Sequence, residues 1–509
     1  MSAPSHARAS RPRPAERLAA VPTYAWALAA LTALAAALRF STLGVQSYWL
    51  DESVTVYLVG GSFHHMWSAI PNGESTPPLY YVVAWLWSRA FGTGEVGLRS
   101  LSALAGTATV PAAYVAAARL VTPRAGLLVA ALAAVNPLLV WFSQEARAYA
   151  VLVLLTTAAL AVFAGLLQRA TARRLAAWAV LSAAALATHY FAIFLIAPQA
   201  AWLVWRLRDD PRRRAVLVAV AGVAVAGAAL LPLLVEQAGN DRAAFLRHVP
   251  LGKRVLQIPK QFLVGFDAPL EVATSVIALL LAVVALWLLV RRADSNERSG
   301  AKAAAWLAAA ALGVPLVLAL AGADYLIARN LIAAWVPAAI VLATGFGARR
   351  AGTAGLAAAG ALCAVSLFVV IAVDASPKYQ RGDWRGVARA LGSAREERGL
   401  VVTPRFGDTP LSLYTRRILP FPSTAVPLRE IDVIGVAERR AGQTPEPPRP
   451  SQPPVAPAGY ELVQRRYADT FTLLRYRAPP PNLPVVFWWQ LRPMKLTTGD
   501  ADVAILAPP

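Results

Sequence analysis

The sequence predicts a polytopic α-helical membrane protein that carries a small α/β domain at its carboxyl end. Apolar residues make up 57% of the 509, charged residues make up only 15%, and the mean hydropathy is +0.50. No soluble core of this length needs so many apolar runs of about 20 residues, which is the length that crosses a bilayer. From Asp374 onward the composition changes, because charges and prolines rise and no further long apolar run follows.

The amino-terminal stretch is typical of an uncleaved signal anchor. Residues 1–21 are polar, basic and contain proline, and an apolar run over residues 22–38 ends at Arg39. The run is long and the chain continues as a membrane protein, so a cleaved signal peptide fits less well. We therefore expect residues 1–21 to form a basic cytoplasmic tail, with the amino terminus inside.

Basic residues between the later apolar runs set the predicted topology. The net charge is +21, but most arginines lie in short clusters between apolar runs, as inside loops require. The charge therefore indicates a lipid bilayer as partner and argues against nucleic acid. Placing the basic loops inside gives a transmembrane domain over 22–373, a first outer loop at 42–77 and a later outer loop at 236–270. The apolar runs after the anchor are 78–91, 100–118, 125–142, 148–167, 175–187, 190–205, 215–235, 272–290, 303–321, 331–346 and 353–373.

One crossing is ambiguous. The first outer loop and an inside Arg119 require an odd number of crossings between them, whereas two apolar runs lie there. The run 78–91 is short and rich in Tyr and Trp, so it could lie along the outer interface, which leaves about 11 spans. Alternatively it crosses and Arg119 is outside. The sequence thus predicts about 11 to 13 spans.

The residues after the last apolar run predict a separate extracytoplasmic domain over 374–509. Asp383 to Leu391 has the apolar spacing of a helix, Gly399 to Thr403 predicts a short buried strand, and Leu411 to Arg417 predicts another helix. The Pro-rich segment 442–459 is better explained as an extended loop. The one cysteine, Cys363, lies in an apolar run, so no intrachain disulfide can form.

Two adjacent carboxylates, Asp51 and Glu52, follow an aromatic pair in the first outer loop. A charged side chain at the bilayer centre costs roughly 2.5–3.5 kcal/mol, so carboxylates this close to spans are either solvated or kept for chemistry. Four motifs follow the pair in the chain: STPPLYY at 75–81, GLRSLSALAG at 97–106, SQEARAY at 143–149 and YLIARN at 325–330.

This ordered set resembles the GT-C superfamily, in particular the protein O-mannosyltransferase and aminoarabinose-transferase-like branch of bacterial membrane glycosyltransferases. The resemblance spans roughly residues 22 to 373. It implies a multi-pass enzyme of the cell membrane that takes a sugar from a polyprenyl-phosphate carrier and passes it, with inversion, to a hydroxyl on the outer face. The acceptor could be a protein, a glycan or a lipid.

The resemblance also implies roles for individual residues. Asp51 matches the family's general base. Glu52 is expected to position Asp51, to raise its basicity, to help hold a metal, or to have a simple surface role. Arg99 matches the arginine of the Leu-Arg motif and would contact phosphate, pair with a carboxylate or anchor a span end. Glu145 and Arg147 would contact the substrate or form a structural pair with each other.

Later residues complete the predicted site. Arg329 is the best candidate for binding the lipid phosphate, because a planar guanidinium can bind two phosphate oxygens, although it could instead snorkel to the interface. His189 could donate to phosphate or simply pack. The remaining candidates for substrate binding are Tyr190, Tyr325 and Asn330. We predict no metal site and commit to no cofactor, because a lone carboxylate pair lacks the further oxygen ligands that Mg²⁺ or Mn²⁺ needs.

Two details refine this expectation. Members that transfer aminoarabinose carry a lysine before the Pro-Pro pair, where this chain has Thr76, so mannose or another neutral hexose or pentose is the expected sugar. The basic residues of the later outer loop, from Arg242 to Lys260, are expected to contact lipid headgroups. A transporter or flippase for lipid-linked sugars, and a non-catalytic scaffold, remain the alternatives.

Overall fold

The structure is a computed structural model that describes residues 23–240, 244–415, 417–437, 446–497 and 499–508. The predicted tail 1–21, Arg242 and the first part of the Pro-rich segment, 442–445, lie outside the described residues.

Helices make up most of the chain before the carboxyl-terminal domain. They are α1 (Thr23–Phe40), α2 (Leu50–Gly60), α3 (Phe63–Gly73), α4 (Leu79–Phe91), α5 (Glu95–Leu120), α6 (Pro123–Val135), α7 (Pro137–Ser143), α8 (Tyr149–Gln168), α9 (Ala172–Thr188), α10 (Ile193–Arg206), α11 (Arg213–Ala228), α12 (Leu231–Ala238), α13 (Leu251–Val264), α14 (Glu271–Arg292), α15 (Ser295–Leu320), α16 (Trp335–Gly347), α17 (Gly352–Ala375), α18 (Trp384–Leu391), α19 (Asp408–Ser412) and α20 (Trp488–Leu491).

Fewer helices qualify as spans than the 11 to 13 predicted from the apolar runs. Within the described residues, 6 helical stretches are long and apolar enough to cross a membrane, and the bent pair α6 and α7 would be a seventh. Three shorter apolar helices lie at Tyr24–Phe40, Tyr190–Arg206 and Ile332–Gly347. The difference arises because several apolar runs form helices shorter than a full crossing, such as α4 and α16 with 13 residues each.

The run 78–91 forms α4, which has 13 residues. At 1.5 Å per residue it is about 20 Å long, which is short of the hydrocarbon thickness of about 30 Å. It packs against α2 and α5 on the side where the first outer loop lies. The predicted break at Asn136-Pro137 is confirmed: α6 and α7 meet at 58°, and the Asn136 side chain accepts from the Leu139 N–H at 3.1 Å.

Glycines allow the transmembrane helices to approach closely. A Cβ atom on Gly345 of α16 would lie 1.9 Å from the Ala285 carbonyl oxygen of α14. A Cβ atom on Gly300 of α15 would lie 2.1 Å from the Leu120 carbonyl oxygen of α5. Because lipid tails give helices no hydrophobic reason to associate, such close backbone contact is a main source of packing energy.

The carboxyl-terminal domain is built on a six-stranded mixed sheet with the order β2-β8-β1-β4-β6-β5. The strand pair β1 and β4 is parallel, with Val401 opposite Val433, and the other pairs are antiparallel. A separate pair joins β3 and β7. The strands are β1 (Arg398–Thr403), β2 (Ile418–Pro420), β3 (Val426–Pro427), β4 (Glu430–Val436), β5 (Glu461–Tyr467), β6 (Phe471–Arg477), β7 (Val485–Val486) and β8 (Asp502–Leu506).

Two of the three elements predicted in this domain are confirmed. Strand β1 is buried along its whole length and helix α18 lies where the apolar spacing placed it. The helix predicted over 411–417 is wrong, because α19 ends at Ser412. The chain turns there so that the Tyr414 hydroxyl accepts from the Tyr48 N–H and donates to Glu95 Oε1, each at 2.7 Å.

These contacts belong to a wider interface between the sheet domain and the loop before α2. Ser47 Oγ donates to the Gly382 carbonyl at 2.9 Å and accepts from the Trp384 N–H at 3.0 Å. Arg385 Nη2 donates to the Gly44 carbonyl at 2.9 Å. The sheet domain therefore fixes the loop that leads into α2.

Candidate active site

Asp51 and Arg329 meet although they come from opposite ends of the transmembrane domain. Asp51 lies in the first turn of α2, and its Oδ2 is 3.1 Å from Arg329 Nη1. The side chains are 26% and 25% exposed, so an incoming ligand can reach both. The structure thus brings together the predicted base and the predicted phosphate ligand.

Arg329 is held in an irregular segment between α15 and α16. The Asn330 amide donates to the Tyr325 carbonyl at 2.8 Å, which shapes this segment rather than presenting Asn330 to the Asp51 carboxylate. The guanidinium carbon of Arg329 lies 5.7 Å from the centroid of the Phe245 ring, within cation–π range. The later outer loop therefore covers one side of Arg329.

Glu52 differs from its predicted role as a modulator of Asp51. It is fully buried, and its Oε1 and Oε2 accept from Arg99 Nε at 2.8 Å and Arg99 Nη2 at 2.7 Å. The Ala146 N–H also donates to Oε1 at 2.8 Å. Burial alone would raise the pKa of Glu52, but the facing guanidinium overcomes this and lowers it. Adjacent helix residues point about 100° apart, so the two carboxylates face different surroundings.

Arg99 is a structural residue in this geometry and does not reach the open side of the site. It is 1% exposed, which leaves no face for phosphate. Beyond Glu52, it donates to the carbonyls of Leu43 at 2.8 Å, Gln46 at 2.7 Å and Ser47 at 3.0 Å. The prediction that Arg99 pairs with a carboxylate is met, and its role is to fix the loop before α2.

The predicted pair of Glu145 and Arg147 is wrong, because the tight turn between α7 and α8 sends the two side chains apart. Arg147 pairs with Glu74, with Nη2 2.8 Å from Oε2, and its Nη1 donates to the Asp51 carbonyl at 3.2 Å. Glu145 pairs instead with Arg381 of the sheet domain, at 2.6 Å. Sequence reasoning missed both partners: Glu74 directly precedes the STPP motif, while no sequence signal marks Arg381.

Glu145 and Arg381 form a buried contact behind the site. The guanidinium carbon of Arg381 lies 4.2 Å from the Trp141 ring centroid and 5.6 Å from that of Trp49. Glu145 Oε1 is buried and has no hydrogen-bond partner within the described part of the chain. Burial raises the pKa of Glu145 to about 7, although the facing guanidinium opposes the shift.

His189 and Tyr190 lie near the site without contacting Asp51. The His189 ring is buried, its Nδ1 accepts from the Phe191 N–H at 3.2 Å, and burial lowers its pKa to about 3. It is therefore a neutral cap between two helices and a weak phosphate donor. The Tyr190 hydroxyl donates to Gln237 Oε1 at 2.8 Å. Tyr325 is 43% exposed and faces the Phe191 ring at 6.4 Å.

The basic residues of the later outer loop are partly engaged by protein. Arg254 pairs with Asp324, with Nη1 2.8 Å from Oδ1, and also donates to the Leu326 carbonyl at 2.9 Å. Lys260 Nζ lies 2.8 Å from Glu271 Oε1. The expected headgroup contact does not extend to Arg254, which is buried and anchors the segment that carries Arg329.

No group of three or more His, Cys, Asp or Glu side chains that could hold a metal ion occurs among the described residues. The charged groups around Asp51 are instead paired carboxylates and guanidiniums. They can accept a proton and bind an anion, which are the needs of a group transfer from a phosphate ester.

Comparisons with known proteins agree with this architecture. Residues 75–235 match the family model described as dolichyl-phosphate-mannose-protein mannosyltransferase. The structure of ArnT from Cupriavidus metallidurans bound to undecaprenyl phosphate is similar at 14% identity, over 78% of this chain and 85% of that chain, with a TM-score of 0.50. No curated protein sequence matches.

Two further solved structures are more distant. The apo oligosaccharyltransferase of Archaeoglobus fulgidus has 14% identity over 77% of this chain and 60% of its own, with a TM-score of 0.44. The S. cerevisiae protein O-mannosyltransferase Pmt1-Pmt2 complex bound to the sugar donor has 20% identity over 45% of this chain and 34% of its own, with a TM-score of 0.33. The family match over residues 75–235, the fold shared with ArnT and the apolar helices together support a membrane glycosyltransferase fold of the GT-C kind, similar to the protein mannosyltransferases and ArnT.

Proposed function

We propose that this protein transfers a neutral sugar, mannose or another hexose or pentose, from a polyprenyl phosphate to an acceptor hydroxyl, with inversion. The observation that carries the proposal is the accessible contact between Asp51 and Arg329. The similar ArnT structure is bound to undecaprenyl phosphate, which supports a donor of this chemical class.

The reaction follows from the charges of these two side chains. The donor phosphate is an anion and displaces the Asp51 carboxylate from the Arg329 guanidinium, which then binds phosphate oxygens. The freed Asp51 carboxylate accepts the proton of the acceptor hydroxyl. At the same time the oxygen of that hydroxyl attacks the anomeric carbon. The bond from that carbon to the phosphate oxygen breaks, and the phosphate leaves with the electron pair, stabilised by Arg329. A single displacement inverts the anomeric centre.

Arg147 supports this geometry from behind. Its ion pair with Glu74 is buried, and it donates to the main-chain carbonyl of Asp51, so the first turn of α2 cannot rotate freely. A base must lie within hydrogen-bond reach of the proton that it takes, and a fixed helix start provides that placement.

The donor assay tests the proposal directly. Purified wild type and Asp51→Asn, in lipid nanodiscs, are incubated with a panel of radiolabelled polyprenyl-phosphate sugars. Wild type should consume at least one donor and Asp51→Asn should lose at least about a hundredfold in rate, the lower range for general-base catalysis. Asp209→Asn is the matched control, because Asp209 is 86% exposed and far along the chain from Asp51. No consumption by wild type rejects the transferase, and an equally active Asp51→Asn rejects the base.

We also place the amino terminus inside, and the site and the sheet domain outside, on the strength of the basic loops. A Cys363→Ala background removes the one native thiol. In that background Arg405→Cys, at a side chain 60% exposed, should react with a membrane-impermeant thiol reagent in intact cells. Arg208→Cys, in a predicted inside loop, should react only after lysis. The reverse pattern would overturn the orientation.

A further inference from the structure

The sheet domain contains a second open cavity, which the transfer chemistry does not use. Its volume is about 740 Å³, large enough for one or two sugar rings. The cavity lies between α19, the start of β8, and α20. Its charged lining consists of Arg405, Asp408, Arg492, Asp500 and Asp502, and its aromatic lining consists of Phe421 and Trp488.

One carboxylate of this cavity, that of Asp502, leaves hydrogen-bonding capacity unused. Asp502 Oδ2 is buried and has no hydrogen-bond partner among the described residues. Burial and the neighbouring Asp408 carboxylate raise the pKa of Asp502 to about 6. A buried acceptor without a partner costs free energy, so a ligand hydroxyl that donates to it would gain binding energy there.

The charges of the cavity favour a neutral ligand. Arg492 Nη2 lies 3.3 Å from Asp500 Oδ1, and Arg405 Nη1 lies 3.9 Å from Asp500 Oδ2, so both guanidiniums already face one carboxylate. With Asp408 and Asp502 added, the lining holds three acids against two bases, which disfavours a phosphate. The described residues also contain no group of three ligands suited to a metal ion.

An aromatic side chain provides the remaining element of recognition. Trp488 lines the cavity and is 40% exposed, so one part of its ring system is open to a ligand. Phe487 and Trp489 stack on each other, with ring centroids 5.8 Å apart and planes 21° apart. The apolar face of a sugar ring packs on an indole, while its hydroxyls bond to carboxylates and guanidiniums.

We propose that this cavity binds one or two residues of a neutral saccharide. Its position suggests what the saccharide is for, because α19 borders the cavity and also packs against α2, which carries Asp51. Leu413 and Tyr414, directly after α19, join the hydrophobic cluster of Leu58. The bound saccharide is part of a glycan acceptor, a role that rests on the proposed transferase, whereas saccharide binding itself does not require transfer.

Binding is measured by isothermal titration of the full chain in nanodiscs with four probes: mannobiose, maltotriose, galactobiose and arabinotriose. Wild type should bind at least one probe, and Trp488→Ala and Asp502→Asn should each raise its Kd about tenfold, the loss expected for one aromatic contact or one satisfied buried acceptor. Trp489→Ala is the matched control, because Trp489 is exposed beside the cavity and does not line it. It should leave the Kd within about twofold.

If none of the four probes binds wild type, or if Trp489→Ala weakens binding as much as Trp488→Ala does, the saccharide site is rejected. Asp51→Asn separates this result from the transferase. It should bind the probe as wild type does. If wild type binds a probe but consumes no donor, the transferase is rejected and the saccharide site is kept. If wild type consumes a donor but binds no probe, the saccharide site is rejected and the transferase is kept.

Discussion

Asp51 Oδ2 lies 3.1 Å from Arg329 Nη1, across 278 positions of sequence. Surface ion pairs contribute about 0–1 kcal/mol to stability, and this pair is open to solvent on one side, with side chains 25% and 26% exposed, so it does little to hold the fold together. Because the contact adds little to stability, Asp51 and Arg329 can each separate and bind another partner at little cost. The two residues can therefore be changed to test chemistry without unfolding the protein.

Arg329→Lys keeps the positive charge but loses the planar fork that binds two phosphate oxygens. We expect kcat/KM for the lipid-linked donor to fall by about tenfold or more, mainly through KM, and Arg329→Ala to lose more than about a hundredfold, since hydrogen bonds to charged groups contribute about 1.5–3 kcal/mol. Steady-state donor kinetics measure this, with Arg208→Lys as the exposed control. An unchanged KM in both variants would remove Arg329 from the phosphate site.

Glu52→Gln should destabilise the protein even though Glu52 is adjacent to the catalytic candidate. The change leaves Arg99 buried without a charged partner, and breaking a buried pair in this way costs about 3–5 kcal/mol. Thermal unfolding in nanodiscs checks the loss. Glu236→Gln is the control, because Glu236 is exposed. A fully stable Glu52→Gln with lost activity would instead restore Glu52 to the reacting groups.

Gly345→Ala should weaken the packing of α16 on α14, because the added Cβ would lie 1.9 Å from the Ala285 carbonyl oxygen. Overpacking of this kind costs about 1–3 kcal/mol. Gly360→Ala is a matched change, since nothing lies within 4 Å of the added atom. It should leave the unfolding temperature unchanged or slightly raised, because Ala favours a helix over Gly. Equal losses in both variants would contradict the close helix contact.

The stability of the sheet domain should rise as the pH falls through about 6. The pKa of Asp502 in the folded state is raised to about 6, above the value of about 3.9 for a free aspartate. The folded state therefore binds a proton on Asp502 more tightly than the unfolded state does, so protonation of Asp502 stabilises the fold. The groups that face Asp502 are the Asp408 carboxylate and the main chain of Phe406, Gly407 and Asp408. Thermal unfolding should show stability rising as the pH falls from about 6 to about 4 and little change above pH 6, and Asp502→Asn should reduce this dependence.

Local patterns were enough to predict several elements. The helix α18 and the strand β1 follow from the periodicity of their own residues, and the break between α6 and α7 follows from the chemistry of Asn136 and Pro137. The charge pattern also placed Asp51 and Arg329 on one face, and the structure brings them into contact.

The partners of the buried charges could not be predicted in this way. Glu145 and Arg147 are separated by one residue, and the turn that sends them to Arg381 and Glu74 depends on the helices on both sides. The burial of Glu52 depends on where α2 begins relative to α5. Long-range packing determines which buried charges pair, and the spacing of residues in the sequence carries little information about that packing.

The start of α2 also limits how the chain can vary in length. Arg99 binds three carbonyls of the loop at residues 43–47, and α2 begins three residues after this loop. One residue inserted between the loop and Asp51 would rotate the following helical positions by about 100° if the helix kept its start. The Asp51 carboxylate would then point away from Arg329, and Glu52 could not remain paired with Arg99. Deletions and insertions in this short connection are therefore expected to be excluded among functional variants.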